Sequence, residues 1–454
     1  MFSITCLLFG LLTYTTNAWI PVRWGNPITI ASQEIHSRIT HELSESDYSV
    51  VKKLNGFYGM IGPDINMTSV NRLYDLFTGD GNIQGVFFNN GELLFTKKFI
   101  RTEKILFEEE HGQMPNNIIV RTIFMLLNKV IGTPNFMGVA NTAMINIKNK
   151  IYALFERDHP YLIDVDIENQ IIKTVKKTNI AGVETFSAHS KYDPIHNLIH
   201  TIDYNVLDNS VSYYSMDDKF NILTTQRFHT SYLPLTHDFI VLENDILICD
   251  SPLSFHMDSK QIPVKFHKDK PTIFRTINKK TGETREFLNH DSFYIFHYAD
   301  YRESCRYIEI YASVYENLDF SELNINGKYR HIAIDKQSGT VHVLKNPILE
   351  KHNLDFPIKM GKYVILRNIE NNRITGFLVC DGLSIRKRIS LDNKSACGEP
   401  IITEIDGKSH LVTFAYDQDQ GYIVIVNMET FHQIEIPIQH KINIGFHSIY
   451  VDKK

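Results

Sequence analysis

Residues 330–344 read Arg330-His331-Ile332-Ala333-Ile334-Asp335-Lys336-Gln337-Ser338-Gly339-Thr340-Val341-His342-Val343-Leu344, two strand-length apolar segments on either side of a Gln-Ser-Gly turn. Comparable segments recur from about residue 135 onward, at 150–156, 198–204, 239–249, 363–367 and 422–427. Turn residues such as Asp208-Asn209, Lys280-Thr281-Gly282 and Asn371-Asn372 separate them. Short strands punctuated in this way, at intervals of about ten residues, predict an all-β sandwich, barrel or propeller. The pattern alone carries no blade signature that selects among the three. No linker rich in Pro, Gly or Ser divides the chain, so residues 19–454 read as one domain, long but within the range of closed all-β folds.

Composition is that of an ordinary globular protein, with 43% hydrophobic and 22% charged residues, enough for a large core. The formal net charge is −5 and no basic block or stripe occurs, which excludes nucleic acid as the expected partner. Cysteines at 6, 249, 305, 380 and 397 show no Cys-x-x-Cys spacing, arguing against zinc and against a disulfide scaffold. Cys249, within Ile246-Leu247-Ile248-Cys249, reads as a small buried hydrophobe.

Two segments stand outside the strand pattern. Ile4 to Thr13 is apolar and is followed by Thr16-Asn17-Ala18. Residues 1–18 therefore read either as a signal peptide, placing the protein outside the cytoplasm, or as a hydrophobic segment of a cytoplasmic protein with peripheral membrane association. The run is too short for a bilayer, which takes ~20 residues. Residues 117–131, from Asn117 to Ile131, lie between Pro115 and Gly132 and predict a helix with a wide apolar face that includes Phe124 and Leu126. Its length of ~22 Å is below the ~30 Å hydrocarbon core, leaving a membrane-interface contact or a helix packed on the domain. The acidic run Glu108-Glu109-Glu110 reads as solvated surface.

The chemistry lies in four histidines set in separate phrases: Ser187-Ala188-His189-Ser190-Lys191-Tyr192-Asp193-Pro194, Thr236-His237-Asp238-Phe239, Phe296-His297-Tyr298-Ala299-Asp300 and Gly445-Phe446-His447-Ser448. Imidazoles this far apart can share a metal only if a closed, multi-part fold brings them together. Among the chain's 20 histidines the others lack such context. His196 and His200 have i, i+4 spacing but flank the strand-like Asn197-Leu198-Ile199, and are set aside.

In order, these phrases resemble the carotenoid cleavage oxygenases, the family that includes the retinal pigment epithelium isomerase and the lignostilbene dioxygenases. The resemblance runs over roughly residues 55–450. Phe57-Tyr58-Gly59-Met60-Ile61-Gly62-Pro63 and Thr78-Gly79-Asp80-Gly81 look like the family's opening turns. Val139-Ala140-Asn141-Thr142, Ala153-Leu154-Phe155-Glu156, Asp250-Ser251-Pro252-Leu253 and Gly398-Glu399-Pro400 follow in the family's order.

The resemblance implies a seven-bladed β-propeller with a helical and loop cap over a metal site. It also implies Fe2+ held by His189, His237, His297 and His447. Four neutral nitrogen donors suit iron(II), keeping it electron-rich enough to meet dioxygen with coordination positions open. Three carboxylates then orient the rings: Glu156 for His237, Glu399 for His447, and Asp355 for His297. Asp355 stands where the family has Glu, so its contact should be longer, bridged by water or supported by a shifted backbone. Asp300 for Asn and Gln84 for His are two further departures.

The implied activity is O2-dependent cleavage of a conjugated carbon–carbon double bond in a carotenoid or apocarotenoid, an apolar small molecule held in a tunnel. No Ser-His-Asp phrase, paired-carboxylate signature or Gly-x-Gly-x-x-Gly fingerprint points to hydrolytic or nicotinamide chemistry. The alternatives are cleavage of a stilbene-type phenylpropanoid, retinyl ester isomerising hydrolysis as a specialised branch, and a propeller serving only as a binding module. Retention of all four His phrases argues against the last.

Overall fold

The computed structural model describes residues 33–65, 70, 72–113, 135, 137–256, 264–323, 325–418 and 420–453. The amino-terminal run and residues 117–131 lie outside them.

Residues 330–344 form the hairpin their sequence predicts. Lys328–Asp335 pairs with Val341–Leu344, and Ile334 faces Val341. Asp335 makes the turn, its Oδ1 accepting from the backbone N–H of Gln337 at 2.9 Å and of Ser338 at 3.2 Å, while Gly339 takes a positive φ of 77°. The inner of the two strands is largely buried and the outer one alternates, as expected when the outer strand meets water.

Among the described residues seven sheets of four or five strands form the ring, and Leu253–Phe255 pairs with Val264–Phe266 as a separate two-stranded sheet. Blade one runs from Ile35–Ile39 to Glu92–Phe99, blade two from Ala143–Ile147 to Ile171–Lys177 and blade three from Lys191–Asp193 to Ile222–His229. Blade four runs from Ile240–Val241 to Thr284–Asn289 and blade five from Tyr294–Glu303 to Val341–Leu344. Blade six runs from Asn353–Met360 to Ser384–Ser390 and blade seven from Ser395–Ala396 to Gln433–Ile438. The last strand, Ser448–Asp452, crosses back to blade one and pairs with Gly56–Asp64, so chain start and chain end share one sheet.

Packing shows why the sheets form a ring. A buried apolar cluster fills the space between each pair of neighbours: Phe57 and Phe87 against Ile151 and Ile163, then Tyr152 and Leu154 against Ile199 and Tyr214. Ile202 and Phe228 meet Ile246 and Ile277, and Phe274 and Phe287 meet Ile310 and Ile332. Tyr329 joins Leu354 and Leu366, Phe377 joins Val424, and Phe414 and Ile425 close the circle on Tyr58 and Phe95. A strand buried on both faces reads as a continuous apolar run. Asp245–Asp250 is such a strand.

Three sequence expectations are revised. Residues 57–63 are not a turn but most of the strand Gly56–Asp64, buried almost throughout between two neighbours in its sheet. Its glycines mimic turn signals, yet Gly56 and Gly62 let other segments pass close: a Cβ there would stand 2.3 Å from the Val451 carbonyl oxygen and 2.6 Å from Gly445 Cα. Asp80 and Gly81 likewise open a strand, Asp80–Asn89, where a Cβ on Gly81 would stand 2.2 Å from the carbonyl oxygen of Ala140. The acidic run is not all solvated. It lies on the helix Glu103–His111, capped by Thr102, and Glu108 is 1% exposed with its carboxylate 2.8 Å from buried Lys104. Lys104 also reaches Asp80 at 2.8 Å, so a buried cation recruits the acid inward.

Candidate metal centre

Each histidine is delivered from one edge of its blade. His189 precedes Lys191–Asp193, His237 precedes Ile240–Val241, His297 sits in Tyr294–Glu303 and His447 precedes Ser448–Asp452, all edge strands of their sheets. One nitrogen from each ring lies within 4.8 Å of the others, so these edges meet on a common axis. The rings stand steeply to one another: His189 is inclined 62° to His237, 70° to His297 and 82° to His447, with centroids 4.5–5.0 Å apart. Nε2 of His189 and of His237 are 3.0 Å apart, and Nε2 of His297 is buried without a hydrogen-bond partner.

The carboxylates come from the remaining blades. Glu156 lies past Lys150–Leu154 in blade two, its Oε1 2.6 Å from Nδ1 of His237. Asp355 in blade six places Oδ1 3.0 Å from Nδ1 of His297. Glu399, just before Ile401–Ile405 in blade seven, places Oε2 3.2 Å from Nδ1 of His447. Every blade thus contributes one residue to the centre, four as histidines and three as the groups that hold them. His196 and His200 stand apart from it, His196 against Asp193 and His200 against the Tyr213 hydroxyl.

Of the three alternatives expected at Asp355, the structure shows the shifted backbone. The contact is direct at 3.0 Å, and beside it pairing slips between Asp355 and Ile358, while Phe356 adopts a positive φ of 52°. A left-handed phenylalanine costs of order 1–3 kcal/mol and persists only where its surroundings impose it. The other oxygen of Asp355 accepts from the Tyr315 hydroxyl at 2.5 Å. The two remaining departures are accommodated away from the rings. Gln84 exchanges two hydrogen bonds with the Asn443 backbone, and Asp300 pairs with Lys359.

Local structure fixes the loops. Ser187 Oγ accepts from the His189 N–H at 3.1 Å, and Ser190 donates to the Ser187 carbonyl at 2.8 Å. Asp238 ties three histidine segments together: Oδ1 accepts from Lys191 Nζ at 2.6 Å, and Oδ2 from the Tyr298 N–H at 3.1 Å. Near His447 three chains pass almost in contact. A Cβ on Gly445 would meet Met60 at 2.5 Å, and one on Gly398 would meet the Gly445 carbonyl at 2.9 Å.

Electrostatics favour neutral donors in two of the rings. Burial opposes charge on Glu156 and Asp355, but the adjoining His237 and His297 outweigh it and leave both carboxyls below their ordinary range. Burial, reinforced by the facing histidines, holds His189 well below the ordinary imidazole value, and burial lowers His297. His237 moves the other way: burial lowers it, and the Glu156 carboxylate more than reverses this. An ionised carboxylate accepting from Nδ1 fixes the tautomer and leaves Nε2 with its lone pair turned inward. With one buried Nε2 unpartnered and no carboxylate among the converging donors, the set fits a divalent transition metal that accepts imidazole.

An apolar cavity of about 240 Å³ opens on this centre, lined by Leu76, Phe77, Phe296, Ile369 and Phe446 among others, with His237, His297 and His447 in its wall. Leu73, Leu233, Leu253 and Leu318 pack in one buried cluster with Tyr294 and Phe296 of blade five beside it. The helix Leu73–Phe77 and the loop near Leu323 supply part of the lining, in keeping with the expected helical and loop cap. Sequence reading missed Tyr315, Phe356 as a wall residue, and Arg367. Only Phe356 adjoins a residue singled out in the sequence, Asp355; a tyrosine or arginine at a strand position gives no signal of its own.

Residues 49–452 match the protein family described as Retinal pigment epithelial membrane protein. A carotenoid 9,10(9',10')-cleavage dioxygenase 1 of Arabidopsis thaliana is 22% identical, with 88% of this chain and 85% of the relative covered. Lignostilbene-alpha,beta-dioxygenase isozyme III of Sphingomonas paucimobilis is 26% identical over 47% of this chain and 44% of its own. In three dimensions the cobalt-substituted Synechocystis apocarotenoid oxygenase superimposes with a TM-score of 0.74 at 19% identity, covering 96% of this chain and 98% of that one.

Proposed function

This chain belongs to the Retinal pigment epithelial membrane protein family, and from that premise we propose that it is an iron(II)-dependent oxygenase that cleaves a conjugated double bond of a carotenoid or apocarotenoid to carbonyl products. The observation that carries the reading is the convergence of four imidazoles, three of them anchored through Nδ1 by carboxylates and those three set in the wall of an apolar cavity.

His189, His237, His297 and His447 would hold the metal through the nitrogens that face one another. Bound iron(II) supplies redox chemistry toward O2 that no amino-acid side chain offers. The protein's own part is placement and exclusion. Glu156, Asp355 and Glu399 keep the rings aimed, and the carboxylates stay outside the donor set, where they do not saturate the metal's coordination. Apolar walls accept a polyene, displace water and admit it only in orientations that bring one bond beside the histidines. No side chain is required to carry a proton in the cleavage.

The decisive experiment is anaerobic purification with metal analysis, followed by aerobic incubation with matched apocarotenoid and stilbene panels and mass detection of carbonyl products. About one iron per chain and aldehydes from apocarotenoids are expected. Products from stilbenes alone would move the substrate to the phenylpropanoid class, and iron retained at wild-type level by His237→Ala would overturn the ligand assignment.

A further inference from the structure

Arg367 lies on Tyr363–Glu370 and lines the cavity that holds the histidines. Its Nε is buried without a hydrogen-bond partner, and among the described residues its guanidinium makes no ion pair. The carboxylates nearby are committed elsewhere. Asp355 spends one oxygen on His297 and the other on Tyr315, and Glu399 serves His447 and the Ser448 N–H. The guanidinium instead lies 3.8 Å from the centroid of the Phe356 ring, and that ring packs on His297 at 4.7 Å and on His447 at 5.0 Å. One aromatic ring therefore separates a planar cation from two of the four converging imidazoles. Phe356 carries that ring on a left-handed backbone, with φ of 52°.

A hydrocarbon substrate gives no reason to leave arginine donors unmatched in an apolar cavity, since burying them unpaired is costly. An anionic oxygen pair would supply what the fork lacks, because guanidinium and carboxylate match two donors to two acceptors. We infer that Arg367 is a specificity-determining residue that binds the carboxylate of an acid-terminated conjugated alkene, placing the acid end of the substrate at the Phe356 side of the cavity. This rests on the polyene-cleaving reading above and narrows it from carotenoids in general to apocarotenoic-acid-like molecules. Because only one ring lies between guanidinium and histidines, the bond presented for cleavage falls toward the acid end of the chain.

The test uses equilibrium binding to the full-length, metal-free protein near neutral pH, with all-trans-retinoic acid and its methyl ester as probes. They share one polyene and differ in charge. The acid should bind about 10- to 100-fold more tightly than the ester, the range expected of a desolvated charge-assisted pair. Arg367→Met should erase that difference while changing ester affinity by less than about threefold, and Arg367→Lys, which keeps charge but loses the fork, should fall between. Equal affinity for acid and ester in the wild type overturns the inference. So does an equal loss for both ligands in Arg367→Met, which would make Arg367 a support for Phe356. Iron-loaded turnover separates the two readings: cleavage of neutral polyenes with no preference for acids overturns the role of Arg367 and leaves the oxygenase standing. Failure to bind or cleave any polyene overturns both.

Discussion

Asp355 is one methylene shorter than the Glu its family would place there, yet it meets His297 directly at 3.0 Å beside a slip in its strand's pairing. Its loss should therefore cost what an orienting partner costs, ~10- to 100-fold in metal affinity or turnover with the fold retained. Asp355→Ala is expected in that range by metal competition titration. Asp355→Glu should not rescue fully, because the slipped strand already brings the shorter side chain into contact and a longer one must displace Tyr315. Wild-type iron affinity in Asp355→Ala would make Asp355 a bystander. A second residue, His200, is 5% exposed, sits 2.7 Å from the Tyr213 hydroxyl and is pulled by burial down to about 4. With its folded value below the ordinary 6.5, the unfolded chain binds more protons between these limits. The stabilisation is complete above pH 6.5 and is lost as pH falls toward 4. Urea midpoints should drop over that window, and His200→Gln should show a shallower drop; an identical slope would remove His200 from the acid response.

At the level of elements, the centre depends on loops that precede strands, and loops hold position only when tied down. Asp238 does this for three of them, reaching Lys191 beyond His189 and the backbone of Tyr298 after His297. Asp238→Ala leaves a backbone N–H without its acceptor and frees Lys191, at a cost of ~1–3 kcal/mol in urea unfolding. Metal affinity should fall with it by ~10-fold or more, because ring placement is shared among the three segments. Asp238→Asn keeps an acceptor for Tyr298 and should lose less on both measures. Unchanged metal affinity in Asp238→Ala would mean that packing alone sets the loops.

For the whole molecule, the ring closes only when Ser448–Asp452 pairs with Gly56–Asp64 and Phe414 packs against Tyr58 and Phe95. Deleting residues 449–454 keeps His447 but bares the edge of that strand and loosens the contact between the first and last blades. Each blade relies on its neighbours to cover its faces, so the damage should spread around the ring. The truncated chain should lose a large part of the ~5–15 kcal/mol typical of a folded domain, read as a lowered or broadened urea transition. A transition unchanged in midpoint and width would show that the ring closes without its last strand.

Much of this molecule was legible in its sequence. Apolar segments set off by turns, as in residues 330–344, identify strands because side-chain alternation and turn chemistry are local properties. The His phrases and the Glu156 and Glu399 phrases identified the centre because they stay intact as short strings. Other features were decided only in three dimensions. The strand Gly56–Asp64 reads as a turn because glycine's need there comes from chains distant in sequence, and Glu108 reads as solvated because the cation that buries it is paired with Asp80 on another element. The reach of Asp355, the tether at Asp238 and the unmatched fork of Arg367 follow from how blades meet at the axis, where each residue's partner belongs to a different blade or strand.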